Sequence, residues 1–495
     1  MTGRIARALS AGVALCALVA AGPVMAQEVV TKQYDDGGIY EGTFKDGKQH
    51  GKGTYRLPNG YEYEGDWVEG EILGQGRAKF PNGSVYEGSF AKGKPNGKGK
   101  IIFADGGTYE GDWADGEIQG QGTATYANGV VYTGGFEQAL HHGKGVMQSP
   151  EGYTYDGDWV QGVKEGKGKI TYPDGAVYEG DLLRGQRAGQ GKLTTADGLI
   201  YEGAWKDGQI NGLGKLTQQN GDVYEGLLAN GKRHGTGKVT YANGDTYEGE
   251  FVEDKRQGKG VFRGTDGYIY DGDWVDSRIE GMGKVTYPDG SVYEGSFGAD
   301  LADGKGKITY KDGSTYEGDW KAGVIEGTGK AVYANGLVYE GGFLAGKNHG
   351  QGAMTYPDGY TYVGQWKDGL RDGEGVAKYA DGTVYTGTFV KGLREGKGEI
   401  IMTDGFRYAG NWKAGEIDGV GIATYANGDV YEGTFVMGKR QGQGTIRYAS
   451  GETATGTWKD GALTETAAPA PEDAAAPAEG TAPPAEGEPA QPEGN

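Results

Sequence analysis

A Tyr-x-Gly-x-aromatic motif returns every 23 residues along this chain, and that period limits the fold more than any other feature. Tyr40 opens the series, Tyr63, Tyr86 and Tyr109 follow, and Tyr431 is the last of 18 tyrosines in register, with no insertion or deletion between them. Counting each tyrosine as zero, glycine stands at offsets 2, 11, 13 and 20 in all 18 units. A decayed further unit starting at Ala454 keeps Gly456 and Trp458. Self-similarity of this kind means one supersecondary element stacked many times. It overrides the length prior of about three globular domains. Glycine makes up 101 of the 495 residues without a Gly-X-Y period, so collagen is excluded and the glycines read as geometric requirements.

Each unit reads as a β-hairpin. An alternating run such as Val85-Tyr86-Glu87-Gly88-Ser89-Phe90 is followed by a second, such as Thr54-Tyr55-Arg56-Leu57 in its own unit. Pro58-Asn59-Gly60, Pro81-Asn82-Gly83 and Pro173-Asp174-Gly175 join the units, and Asn-Gly or Asp-Gly between two strand-like runs is a strong hairpin signal. The two-residue alternation puts Tyr63, Gly65 and Trp67 on one face with Gly74, Gly76, Ala78 and Phe80. The other face carries Glu, Thr, Asp and Lys. Glycine weakens a strand unless something fills the space over it, and a ring from the neighbouring hairpin is the expected occupant. The expected fold is all-β: an elongated, twisted, single antiparallel sheet of about 18 stacked hairpins over residues 38–461. At about 9–10 Å per hairpin the array would reach on the order of 170 Å.

A second rhythm lies on the first. The aromatic at offset 4 alternates Phe44, Trp67, Phe90, Trp113, Phe136, Trp159, and all nine Trp residues fall at that offset. The alternation slips at Leu228 and Phe251. There the usual glycine at offset 7 gives way in three successive units to Asp254, Ser277 and Asp300, as it does at Ala139. A seam between two sub-arrays is expected over residues 228–300, with the turns kept because Asp tolerates the left-handed conformation.

The ends differ from the array. Residues 1–26 have the form of a secretory signal peptide: Arg4 and Arg7, an apolar stretch Ala8–Ala21, and Val24-Met25-Ala26 before a cleavage point after Ala26. An exported protein, periplasmic or secreted, is expected, with residues 27–37 as a short lead-in. Residues 462–495 are rich in Pro, Ala and Glu with no Lys or Arg, a composition expected to stay disordered.

A net charge of −20 disfavours nucleic acid and anionic surfaces. Cys16, in the leader, is the single cysteine, so neither disulfide nor thiol chemistry is expected of the mature chain. His50, His142, His234 and His349 share offset 10 in well-separated units and His141 neighbours one of them, so no shared metal is expected. Ser and Cys do not depart from the repeat as a nucleophile would. Gly51 and Gly53 lead into a strand rather than a helix, so they are not a phosphate loop. The expectation is no enzyme, no cofactor and no metal.

The Tyr-Glu-Gly-x-[Trp/Phe] frame resembles the MORN repeat, most closely in Tyr247-Glu248-Gly249-Glu250-Phe251, Tyr316-Glu317-Gly318-Asp319-Trp320 and Gly346-Lys347-Asn348-His349-Gly350-Gln351-Gly352. The resemblance implies a scaffold, dimerisation or membrane-apposition module, with phospholipid headgroups as an alternative ligand. The lipid-kinase domain that follows such repeats in plants has no counterpart segment here. From the residues themselves, a file of rings could hold an extended protein or glycan partner. Its members are Tyr40, Tyr63, Trp67, Tyr86, Tyr109, Trp113, Tyr155, Trp159, Tyr201, Trp205, Tyr270, Trp274, Tyr316, Trp320, Tyr362, Trp366, Tyr408 and Trp412. Free strand edges at the array ends would allow self-association.

Overall fold

The computed structural model of the chain describes residues 28–466. The expected signal peptide lies outside the described residues, as does the expected tail beyond its first five positions. The described residues form 39 strands and no helix. They fall into two compact units, one running to Thr265 with Val275–Ser277, the other comprising Asp266–Trp274 and the chain from Arg278 on. Each unit is an antiparallel meander of hairpins, as the period requires.

The hairpin of Glu62–Val68 and Glu71–Lys79 shows how one unit is built. Its tight turn is Glu69-Gly70, both with positive φ (53° and 93°), the geometry that matches the twist of the flanking strands. The Asn-Gly signal belongs instead to the longer connection between hairpins. There Gly83 takes φ 91° while Asn82 uses its side chain, Oδ1 accepting from the Ser84 amide at 3.0 Å. Where offset 7 lacks glycine the turn persists: Ala139, Asp254, Ser277 and Asp300 adopt φ of 64–71°. Their amides still donate to the preceding hairpin, as Asp300 does to the Ile279 carbonyl at 3.0 Å.

Within the hairpin, Gly65 pairs with Gly76 and Trp67 with Ile72, so Asp66 faces three residues of the second strand, Leu73, Gly74 and Gln75. Gly74, at φ 113°, is the glycine of this bulge. The next strand pairs Gly76 with Gly88, which makes the glycines at offsets 2 and 13 one continuous file across the strands.

That file explains the tyrosines. A Cβ on Gly76 would stand 2.3 Å from the Tyr63 hydroxyl and 2.4 Å from its Cε2, and one on Gly65 would stand 2.3 Å from the same hydroxyl. Each ring therefore lies on the glycine pair of its own hairpin. This corrects the expectation that a neighbouring hairpin supplies the ring. The bulge sets Gly65 opposite Gly76, and Tyr63, two residues back on the same face, leans along the strand over both. The neighbour contributes the next layer: Tyr40 meets its own Phe44 at 5.1 Å and Trp67 of the following unit at 5.2 Å, both edge-on.

Two boundaries extend the array. Val30–Gln33 pairs with Ile39–Lys45 inside the expected lead-in. Ala462–Thr466, expected to open the disordered tail, pairs with Thr453–Lys459, because the decayed unit keeps Gly456 and Trp458 and so still forms a hairpin.

Candidate functional site

The rings expected to face a ligand are core. Every tyrosine named for the row, from Tyr40 to Tyr408, and every tryptophan, from Trp67 to Trp412, is at most 9% exposed. Each tyrosine hydroxyl donates to the carbonyl three residues on, as Tyr63 does to Asp66 at 3.0 Å. Trp67 Nε1 donates to the Gly53 carbonyl of the preceding unit at 3.3 Å, and Trp159 does the same to Gly145 at 3.1 Å. Burial pushes the hydroxyls of Tyr40, Tyr86 and Tyr109 from 10.0 up to about 12. The row is a packing device with its polar atoms satisfied. A ligand could reach only other surfaces.

Offset 9 completes this layer, a relationship the sequence reading missed. It is the cross-strand partner of offset 4: Trp67 faces Ile72, Leu182 faces Arg187 and Phe435 faces Arg440. An arginine at offset 9 reaches the next unit, whether it stands beside Leu182 or, as Arg371 does, beside Trp366. Arg187 stacks 4.2 Å from the Trp205 ring and donates to the Gly208 carbonyl, and Arg440 stacks 4.2 Å from Trp458. The covariation of offsets 4 and 9 along the units was the available signal. His141 occupies the same position, stacked 3.7 Å from Tyr132 and bonded to the Tyr126 hydroxyl at 2.7 Å. Burial lowers it to about 4. Lys164 lies over the Tyr153 and Tyr155 rings, and burial lowers it too.

The opposite face carries the open surface. Here the glycine file is bare backbone flanked by two rows of side chains. In one row Lys169, Glu179, Lys192, Glu202, Lys215 and Glu225 are successive cross-strand partners. In the second unit Lys284, Glu294, Lys307, Glu317, Lys330 and Glu340 repeat the pattern. The other row pairs a lysine at offset 12 with the aspartate at offset 3 of the next hairpin: Lys52 with Asp66 and Lys98 with Asp112 at 2.6 and 2.7 Å. Asp319 accepts from Lys305, which holds its carboxyl down at about 2 with help from the Thr328 amide.

Between the rows of each unit runs a shallow trough. Clefts of about 960, 810 and 780 Å³ lie along it, floored by glycine pairs such as Gly306/Gly318, Gly99/Gly111 and Gly53/Gly65. Offsets 1, 2, 12, 13 and 14 line all three, with Val29 and Arg56 added in the third. Farther along the second unit the charged row turns apolar: Ala353 faces Val363 and Val363 faces Val376, with the two valines 56% and 41% exposed. Chemically the trough offers many paired charges and backbone groups at regular spacing. It suits non-covalent contact with an extended partner. Among the described residues no group of three or more His, Cys, Asp or Glu side chains is placed to hold a metal ion.

Comparison with known proteins places the repeat. The MORN repeat model matches 18 consecutive segments, beginning with residues 40–60, 63–85 and 86–108 and ending with 408–430 and 431–453. Alsin from Rattus norvegicus is 40% identical over 58 residues, which is 11% of this chain and 4% of Alsin. The TCP domain of Drosophila melanogaster SAS-4 (dCPAP), solved with a proline-rich motif of Ana2, is 15% identical, covering 36% of this chain and 85% of that one at a TM-score of 0.20. The TCP10 domain of Danio rerio CPAP is 17% identical, covering 44% and 93%, at a TM-score of 0.21. Scores this low carry no structural argument. The family matches do, because they tile residues 40–453 on units in which each repeated Tyr, Gly and Trp or Phe has a defined part in one hairpin: the chain belongs to the MORN-repeat family.

Proposed function

We propose that this chain is a non-enzymatic repeat scaffold of the cell envelope that binds an extended protein or glycan partner through many like contacts. The observation that carries the reading is the polar trough, whose lining recurs at the same offsets in three separate clefts. Individually each exposed charged contact is weak, and repetition along one surface supplies avidity. Because the ring row is buried, the partner surface moves from the aromatic side to the charged side. The signal-peptide form of residues 1–26 supports export. Affinity capture from envelope extract tests the reading, with the full chain compared to a Lys305→Glu, Lys307→Glu, Lys330→Glu variant. The reading requires a partner that the wild-type chain retains and the variant loses. Equal capture by both would end it. N-terminal sequencing of the protein recovered from cells should begin at Gln27.

A second reading, contact with anionic lipid, is favoured by the tight-turn edge of the second unit. There Lys321, Lys367 and Lys413 alternate with Leu344 and Val390, and the two apolar side chains are 45% and 43% exposed. Flotation with phosphatidylserine vesicles at low and high salt separates the two readings. The net charge of −20 opposes the lipid one.

A further inference from the structure

We propose that the loop edge of the second unit binds a proline-rich, basic segment of another protein in the polyproline II conformation, along a row of exposed tyrosines. The row lies on the ring face, away from the trough, so it stands whatever the trough takes. Tyrosine holds offset 17 from Tyr287 to Tyr379 without a break and returns at Tyr425 and Tyr448, with Met402 between. In the first unit the same offset is broken by Ser149, Thr195 and Gln218. Tyr310, Tyr333 and Tyr448 are 37–40% exposed. Unlike the core tyrosines, these three have no hydrogen-bond partner for their hydroxyls among the described residues. Their backbone is fixed: the Tyr310 amide donates to the Ser314 carbonyl at 2.8 Å, and the Tyr310 carbonyl accepts from Gly313 at 3.0 Å. Leu337 and Gly336 hold Tyr333 in the same way. The row is a preformed file of rings with spare donors.

Its pitch selects the occupant. Successive tyrosines stand two strands apart, about 9.6 Å. A polyproline II helix makes one turn in three residues, about 9.3 Å. From Tyr287 to Tyr379 the mismatch grows to roughly 1 Å over about 12 residues, so a proline at every third position meets every ring. That helix makes no internal hydrogen bonds, which leaves its carbonyls open to the tyrosine hydroxyls, and its stiffness lowers the entropy lost on docking. Aromatic-lined surfaces are what such segments dock on. The edge also offers a cleft of about 650 Å³, lined by Phe406, Tyr425, Ile446 and Arg440 together with Asp404 and Asp429.

Charge sets the partner's sign. Asp289, Asp312, Asp358, Asp381 and Asp404 stand in the loops, with Asp429 and Glu452 after them, and Lys311 is the cation in these loops. Asp358 and Asp404 each hold a loop amide with one carboxylate oxygen, at 2.9 and 2.8 Å, and leave the other without a partner among the described residues. The neighbouring arginines are engaged: Arg407 with Glu399, Arg371 with the Tyr360 hydroxyl and the Gly392 carbonyl, and Arg394 and Arg440 on Trp412 and Trp458. Lys378 and Arg447 end their strands on the charged face. A basic partner is therefore attracted to this edge. The chain's own proline-rich residues beyond Thr466 carry acids and no Lys or Arg, so they do not fit it.

Binding of a fluorescent peptide of five Pro-Pro-Arg triplets to the full chain, with hydroxyl-radical footprinting of the complex, tests the proposal. The result expected is protection of Tyr310, Tyr333 and Tyr448, with none of Tyr126, which is exposed in the first unit. A peptide of five Gly-Ser-Arg triplets, equal in charge but flexible, should bind at least about tenfold more weakly. Combining Tyr310→Ser, Tyr333→Ser and Tyr356→Ser, all outside the buried rows, should weaken the proline peptide by about tenfold or more. The trough variant Lys305→Glu, Lys307→Glu, Lys330→Glu should bind it no more weakly than wild type, which keeps this site distinguishable from the trough. Equal binding of the two peptides, protection of Tyr126 along with the others, or loss in the trough variant would each overturn the proposal. So would protection of the row by a soluble neutral glucan and not by the peptide.

Discussion

Tyr316 lies so close over Gly329 that a Cβ on the glycine would stand 2.5 Å from the ring's Cε2 and hydroxyl. The same hydroxyl donates to the Asp319 carbonyl at 2.9 Å, so the ring is fixed at its rim as well as beneath. Repeated from Tyr40 to Tyr431, this contact turns weak single hairpins into a stable array.

Gly329→Ala must therefore expel or tilt a fully packed ring, and overpacking of this kind costs about 1–3 kcal/mol or more. Gly313, at φ 86°, has nothing within 4 Å of a built Cβ, so Gly313→Ala carries the left-handed backbone cost alone, about 1–2 kcal/mol. Local hydrogen exchange in the two variants should show the larger opening around residue 329.

The hydroxyl and the ring separate by substitution. Tyr316→Phe loses one buried hydrogen bond and leaves the Asp319 carbonyl unpaired by it, about 1–3 kcal/mol. Tyr316→Ala empties the cradle and should cost about 3–5 kcal/mol, by the measure of buried aromatic truncations. Urea unfolding of both variants checks the order.

Alkaline pH should dismantle the rows. The hydroxyls of Tyr86, Tyr109 and Tyr132 are raised from 10.0 to about 12, desolvation being the main cause. A raised folded-state pKa means the neutral form is the one the fold prefers. The contribution is complete below pH 10 and is lost as pH rises through about 12. Tyrosinate absorbance and circular dichroism should change together in that window. Tyrosinate formed well before the loss of strand signal would mean the rings are open to solvent.

Ala139 sits at φ 64° where most units have glycine. Ala139→Gly should stabilise its turn by about 0.5–1 kcal/mol. Asp300→Gly removes the same strain but also the bond from the Ile279 amide to its carboxylate at 2.7 Å, so its gain should be smaller or reversed. Paired melting curves give the comparison.

The residues show why the sequence disclosed some of this and not the rest. The period, the hairpins, the two faces and the left-handed turn at Asp254 follow from local chemistry, because turn glycines and two-residue alternation act within a few positions. Which hairpin supplies the ring over Gly65 does not. It depends on the bulge at Gly74, which shifts the second strand and sets Gly65 opposite Gly76. The same shift sets Arg187 against Leu182 and within reach of Trp205, a pairing visible only once the register is fixed. The trough was missed for a related reason. Glu and Lys read singly as a wet surface, and become two flanking rows only when neighbouring strands are laid side by side, as the Lys305–Asp319 ion pair shows.

Hydroxyl-radical footprinting of the native chain tests the central claim most directly, since it compares two classes of ring in one molecule. The repeat tyrosines, such as Tyr63, Tyr109 and Tyr362, are fully buried, whereas Tyr126, Tyr310 and Tyr333 at offset 17 are 39–41% exposed. The account predicts strong modification of the second class and protection of the first. Equal modification of both would show that the rings are an open face and not the core.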